Sequence, residues 1–175
     1  YLKNNPGFSK FYYSRINQLK KIDGLFAISD SSAKEAIKYL GVPANKVINI
    51  SSACDKKIFN KDSDVSSHVS IDIVDIQPFI LYSGALDPRK NINCLLEAFS
   101  KLPFDLDSFK LVLVGKLSNT EIELVHNWID IFKIDPNKVI LTGYISDFDL
   151  VELYRNCELF VFPSLHEGFG LPVLE

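Results

Sequence analysis

Short runs of consecutive apolar residues alternate with amphipathic stretches along most of this chain, and few architectures accept that pattern. Leu25-Phe26-Ala27-Ile28, Val47-Ile48-Asn49-Ile50, Phe79-Ile80-Leu81-Tyr82, Leu111-Val112-Leu113-Val114, Val139-Ile140-Leu141 and Leu159-Phe160-Val161-Phe162 read as strands. Such runs lack the in-out alternation of a half-solvated sheet, so both faces are expected to be buried. Between them apolar residues recur at helical spacing: Ala33, Ala36, Ile37 and Leu40; Ile92, Leu95, Leu96, Phe99 and Leu102; Ile122, Val125, Ile129 and Phe132; Leu150, Leu153 and Tyr154. Strand, helix, strand in repetition predicts an α/β fold of parallel sheets with helices on both faces. Ligands of such sheets bind beyond the carboxyl ends of the strands. The segments to inspect are therefore 83–88, 115–118, 143–146 and 163–171.

Punctuation supports this reading. Ser32 with Glu35 and Ser118 with Glu121 have capping-box spacing, Ser146 precedes a third helix, and Asp87-Pro88 reads as an N-cap followed by proline at the first helical position. Gly41, Gly115 and Gly143 close elements. Residues 55–78 contain Asp55-Lys56-Lys57 and a polar stretch around Ser63 and His68 without a clear period, and are expected to be a linker. Pro43-Ala44-Asn45-Lys46-Val47-Ile48 echoes Pro136-Asn137-Lys138-Val139-Ile140. Shared turn chemistry explains the echo, and so do two related α/β domains in tandem.

Composition narrows the function. Of 175 residues, 47% are apolar and 23% charged, enough for a core in one domain, or one domain and part of another. The net charge of −3 provides no global basic field, so no nucleic-acid partner is expected. Cys54, Cys94 and Cys157 are odd in number and scattered, which suits reduced thiols in the cytoplasm rather than a disulfide frame or a zinc site. No apolar run is long enough to span a bilayer, and peripheral contact with the inner face of a membrane stays open. The chain starts at Tyr1, has no methionine and stops within Leu171-Pro172-Val173-Leu174. It is expected to be a piece of a longer protein, incomplete at both ends.

Two segments carry polar residues suited to chemistry. In Ser83-Gly84-Ala85-Leu86-Asp87-Pro88-Arg89-Lys90-Asn91, Arg89 and Lys90 fall in the first turn of the expected helix, where the helix dipole disfavours cations unless an anion binds. They suit a diphosphate cradle, or else are two solvated charges at a helix end. In Pro163-Ser164-Leu165-His166-Glu167-Gly168-Phe169-Gly170-Leu171, Gly168 and Gly170 let backbone amides approach a ligand, and Glu167 and Glu175 can accept hydrogen bonds from sugar hydroxyls. His166, His68, His126 and Trp128 read as packing or surface residues.

Glu167-Gly168-Phe169-Gly170-Leu171-Pro172-Val173-Leu174-Glu175 resembles the E-x7-E signature of the retaining family 4 (group 1) glycosyltransferases. The 82–91 segment, the Gly143-Tyr144-Ile145-Ser146 turn, the Leu153 to Ser164 stretch and Ala27-Ile28-Ser29-Asp30-Ser31-Ser32 resemble other parts of that family, so the likeness runs over roughly 20–175. It implies a GT-B fold of two Rossmann-like domains. Residues 1–54 would be the end of the acceptor domain, 55–78 the linker and 79–175 the truncated start of the nucleotide-sugar domain.

The implied roles are these. Gly84, Arg89 and Lys90 hold the donor diphosphate; Glu167, Gly168, Phe169 and Gly170 hold the transferred sugar; Glu175 holds the ribose; Gly143 and Tyr144 pass near the base. Glu167, Arg89 and Lys90 would serve the chemistry. Ala85 stands where many members carry arginine, with Arg89 the candidate to replace it. The expected substrates are a UDP-, GDP- or ADP-linked sugar and a carbohydrate or lipid-linked acceptor such as a polysaccharide or glycolipid. Transfer would retain the anomeric configuration with no metal and no cofactor, and the fragment alone would be inactive. A phosphorylase or nucleotide-sugar epimerase of the same fold, and a non-catalytic nucleotide-sugar-binding module, are the competing readings. A glycoside hydrolase using Glu167 and Glu175 has no need of a diphosphate cradle.

Overall fold

A computed structural model describes residues 6–19, 21–60, 70–103 and 106–175. The polar part of the expected linker around Ser63 and His68 lies outside these residues. The chain divides into two compact units: Tyr1–Ala53 with Gly168–Leu171, and Cys54–Glu167 with Pro172–Glu175.

The first unit contains helix α1 (Pro6–Leu19), strand β1 (Leu25–Ala27), helix α2 (Asp30–Leu40) and strand β2 (Val47–Asn49). β1 and β2 pair in parallel, Leu25 opposite Val47. The cap of α2 is Ser29 rather than Ser32. Ser29 has extended backbone (φ −158, ψ 166), and its side chain accepts from the Ser32 amide at 3.0 Å. Ser32 thus lies one turn inside the helix as the donor of that capping bond. Gly41 closes α2 in the left-handed region at φ 67. Ala27, Ala36 and Val42 are buried, and α1 buries no side chain.

The second unit is a four-stranded, all-parallel sheet. β3 (Phe79–Ser83), β4 (Lys110–Val114), β5 (Val139–Gly143) and β6 (Leu159–Phe160) lie in the order β5-β4-β3-β6. Helices α3 (Ile92–Phe99) and α4 (Asn119–Phe132) connect the first three strands, α5 (Asp147–Asn156) leads to β6, and a short α6 (Leu171–Leu174) follows. The side chains of β3 and β4 alternate between two cores. Ile80, Tyr82, Leu111 and Leu113 pack with Leu95 and Leu96 of α3 and Val125 and Ile129 of α4. Phe79, Leu81, Val112 and Val114 pack with Leu153 of α5 and with Ile71, Ile73 and Ile76. Both faces are covered, as uninterrupted apolar strands require.

The chain steps from β3 outward to β5, then returns past β3 to β6. Right-handed crossovers in opposite directions put their helices on opposite faces, which is why α5 lies across the sheet from α3 and α4. The gap between β3 and β6 is the switch point at which open α/β sheets bind ligands.

Two buried details fix this unit. Asp149, 3% exposed, lies in the first turn of α5. Its carboxylate accepts from the Ser146 hydroxyl at 2.8 Å, the Ser70 amide at 2.7 Å and the Ile71 amide at 3.2 Å, and from the Ser70 hydroxyl. Burial pushes its pKa up, but these donors outweigh it and hold the pKa below the ordinary value. Residues 70–76 are therefore secured to the sheet unit rather than free of it. Beyond the strand ends, Gly115 sits at φ 157, and a Cβ there would lie 2.1 Å from the Gly84 carbonyl oxygen. Among the described residues no helix is long and apolar enough to cross a membrane.

Gly115→Ala is expected to destabilise the protein by about 2 kcal/mol or more, because the loops after β3 and β4 would have to separate. Urea or thermal unfolding checks this, with Gly7→Ala, where a Cβ meets nothing within 4 Å, as the clash-free reference that is not expected to destabilise.

Candidate functional site

The site is built where the chain leaves β3 and β6. After Ser83 the chain turns through Gly84, Ala85 and Leu86 to Asp87. The Asp87 carboxylate accepts from the Arg89 amide at 2.9 Å and caps a 3₁₀ turn, Pro88–Lys90. Asn91 then adopts φ 59, ψ 37, and α3 begins only at Ile92. Arg89 and Lys90 thus occupy a separate turn rather than the first turn of α3. The left-handed Asn91 interrupts the helix, so α3 amides and the two cations do not form one continuous cradle.

Two cross-links tie this turn to the loop after β6. The Leu165 amide donates to the Arg89 carbonyl at 2.7 Å, and Asn91 Nδ2 donates to the Pro163 carbonyl at 3.3 Å. Between them Lys90 Nζ meets Glu167 Oε1 at 2.5 Å, with the side chains only 19% and 24% exposed. Lys90 Nζ also lies 5.4 Å from the centre of the Phe162 ring. Burial raises the Glu167 pKa, but the Lys90 hydrogen bond and charge, aided by Ser164 and Arg89, bring it below the ordinary value. Ser164 buries its hydroxyl beside this carboxylate with no well-formed hydrogen bond among the described residues.

Arg89 turns to a different carboxylate. Its Nε donates to Asp87 Oδ1 at 2.8 Å and Nη2 to Oδ2 at 3.1 Å. Hydrogen bonds from Arg89 hold Asp87 down to about 2. Behind the turn, Tyr82 donates to the Ala85 carbonyl at 2.9 Å. Burial, then the charges of Glu167 and Asp87, raise its pKa, so the phenol keeps its proton. Gly84 crosses directly over that phenol, and a Cβ there would be 2.6 Å from its oxygen. Close packing on Tyr82 is thus a second demand on Gly84, beside any approach to a ligand.

The other expected site residues divide among neighbouring places. Glu175 accepts a hydrogen bond from Tyr154 of α5 at 3.1 Å, and the two border a cavity of about 360 Å³ with Phe59, Asn60, Val151 and Arg155. Gly143, at φ 70, and Tyr144, 81% exposed, line a separate open cavity of about 570 Å³ with Lys116 and Leu117. Gly168, Phe169 and Gly170 group with the first unit, where the Gly168 carbonyl accepts from the hydroxyls of Ser29 at 2.5 Å and Ser32 at 3.1 Å. Gly170 takes φ 90. The geometry therefore joins Lys90 to Glu167 and gives Arg89 and Glu175 partners of their own. Asp87 as the partner of Arg89, and Tyr82, Phe162 and Tyr154, lie within stretches that resemble the family, but the resemblance gives them no role of their own. Among the described residues no group of three or more His, Cys, Asp or Glu is placed to hold a metal ion.

The sequence profile described as "Glycosyl transferases group 1" matches residues 66–175. The chain belongs to this family. This group 1 glycosyl transferase chain is 38% identical over 174 residues to the serotype-specific mannosyltransferase WbdA of Escherichia coli, a match covering 98% of the chain and 21% of that protein. It thus spans about a fifth of the length of that relative. Among solved structures it is similar to sucrose-phosphate synthase from Thermosynechococcus elongatus (TM-score 0.72, 22% identity, 90% of this chain and 39% of that one). It is also similar to Anabaena HepE solved in complex with UDP and glucose (TM-score 0.69, 20% identity, 87% and 41%). At such identities the likeness is one of fold, which is Rossmann-like and of the GT-B type.

The lowered pKa of Glu167 makes its pair a source of pH-dependent stability. A carboxylate depressed on folding stabilises above its unfolded pKa and loses that contribution as pH falls through the folded value. Lys90→Met is expected to lower stability at neutral pH, with the difference from the unaltered protein narrowing as pH drops below 4.5, the ordinary glutamate value. Urea midpoints between pH 7 and pH 3 check this; a gap that stays constant with pH would contradict it.

Proposed function

We propose that the full-length protein is a retaining glycosyltransferase that moves a hexose from a nucleoside-diphosphate sugar to a polysaccharide or lipid-linked glycan. By analogy with the E. coli relative named as a mannosyltransferase, the hexose is mannose. The observation that carries this reading is the half-buried Lys90–Glu167 pair at the switch point, within a chain of the group 1 family.

Lys90 and Arg89 are the diphosphate-binding cations, Glu167 faces the sugar, Glu175 the ribose, and the Gly143-Tyr144 turn the base. The donor is a substrate, and no cofactor takes part. In the reaction the bond between the anomeric carbon and the diphosphate oxygen breaks, and its electron pair leaves with the diphosphate. The acceptor hydroxyl oxygen bonds to the same face of that carbon, and its proton passes to the departing phosphate oxygen. Fixed cations favour this step because negative charge grows on the leaving group while the protein's groups are already in place. Lys90 is pre-positioned by Glu167 and Phe162, whereas Arg89 has to exchange Asp87 for phosphate. Work at neutral pH suits this arrangement, since both carboxylates are ionised and compete for the cations until the donor arrives.

Calorimetric titration of the full-length protein with UDP, GDP and ADP tests the reading, beside an Arg89→Ala/Lys90→Ala variant. One nucleotide is expected to bind selectively, and about tenfold or more weakly to the variant. With the matching sugar donor, Lys90→Ala alone is expected to lower kcat/KM about a hundredfold. A folded protein that binds none of the three would overturn the proposal.

A further inference from the structure

Near the strand ends, Tyr154 is a polar group to which the proposed reaction gives no task. Tyr154, on the helix that precedes β6, is half-buried. Its ring packs edge-on against Phe160 at 5.2 Å between centroids, with Phe59 at 6.4 Å. The phenol donates to Glu175 Oε2 at 3.1 Å. Burial, then the nearby Glu175 carboxylate, raises the phenol's pKa, so it remains a donor at any physiological pH. One oxygen of Glu175 is thereby tied to a ring that packs on Phe160 of β6. The packing alone does not need this oxygen, since a phenylalanine would keep both ring contacts.

We infer that Tyr154 is a positioning residue for Glu175, holding one carboxylate oxygen so that the other is presented to the ribose hydroxyls of the nucleotide. The inference rests on the proposed ribose role of Glu175. A glutamate at the end of a short helix has free rotamers, and a ligand that must immobilise it loses affinity in doing so. A buried donor fixed by aromatic packing removes that cost before the ligand arrives, and it acts on the ribose contact alone. The phosphate contacts at Lys90 and Arg89 are independent of it.

The test uses the full-length protein and the nucleoside diphosphate that binds tightest among UDP, GDP and ADP, with its 2′,3′-dideoxy form. The readout is the ratio of the two dissociation constants. Tyr154→Phe is expected to lower that ratio about three- to tenfold, mainly by weakening the ribose-bearing nucleotide, with the thermal midpoint little changed. Glu175→Gln is expected to bring the ratio close to one, and adding Tyr154→Phe to it changes nothing further. If Glu175→Gln collapses the ratio and Tyr154→Phe does not move it, the positioning role is overturned while the ribose reading stands. If both nucleotides weaken equally in Tyr154→Phe, the tyrosine is merely structural. If Glu175→Gln itself leaves the ratio unchanged, the ribose reading fails and takes the inference with it.

Discussion

β3 is hydrogen-bonded along both edges and buried at all five positions, and the rest of the sheet unit is arranged to meet that demand. A strand without a solvated face has to be covered twice. Helices α3 and α4 supply one cover. The second comes from α5 and from the isoleucines at 71, 73 and 76. Supplying both covers with right-handed crossovers forces the chain to change direction beside β3. That reversal opens the crevice in which Lys90, from one side, and Glu167, from the other, meet across 77 residues of sequence. The site's position is therefore a by-product of how the central strand is buried.

The parts of this structure that are legible in sequence are those decided locally. The apolar runs give β3, β4 and β5 within a residue or two, and Ser118 with Glu121 makes the capping box its spacing suggests. Ser146 caps α5 as expected. Local competition produces the misses. Three serines fall within four residues at the start of α2, and the extended backbone of Ser29 decides which one caps. Asp87-Pro88 marks a helical start correctly, but the left-handed Asn91 limits it to a single 3₁₀ turn. The segment before Pro78 lacks any period, yet its isoleucines reach the core because Asp149, far along the chain, supplies the acceptor for two of its amides.

Candidate site residues were accessible for a different reason. Motif resemblance names Arg89, Lys90, Glu167 and Glu175 singly, without saying which groups they face. Pairing is a property of the fold. Only three-dimensional placement shows that Lys90 is matched with Glu167, that Arg89 folds back on Asp87, and that a helix tyrosine attends Glu175. The glycines show the same limit. Gly84 is attractive in sequence as a point of ligand approach, and the structure adds that it has to pass over Tyr82 and under the backbone at Gly115.

Lys90 and Arg89 each rest against a carboxylate of their own, and under their proposed diphosphate role this bears on the kind of anion they would accept. An open basic patch takes any anion in proportion to charge and concentration. Under the proposed role, an arriving anion would have to displace a carboxylate already in place. A singly charged competitor such as chloride or acetate exchanges one negative charge for another and gains little. An anion carrying several charges on adjacent oxygens can replace both carboxylates at once. Under the proposed diphosphate role of Lys90 and Arg89, such internal neutralisation would act as a filter on valence.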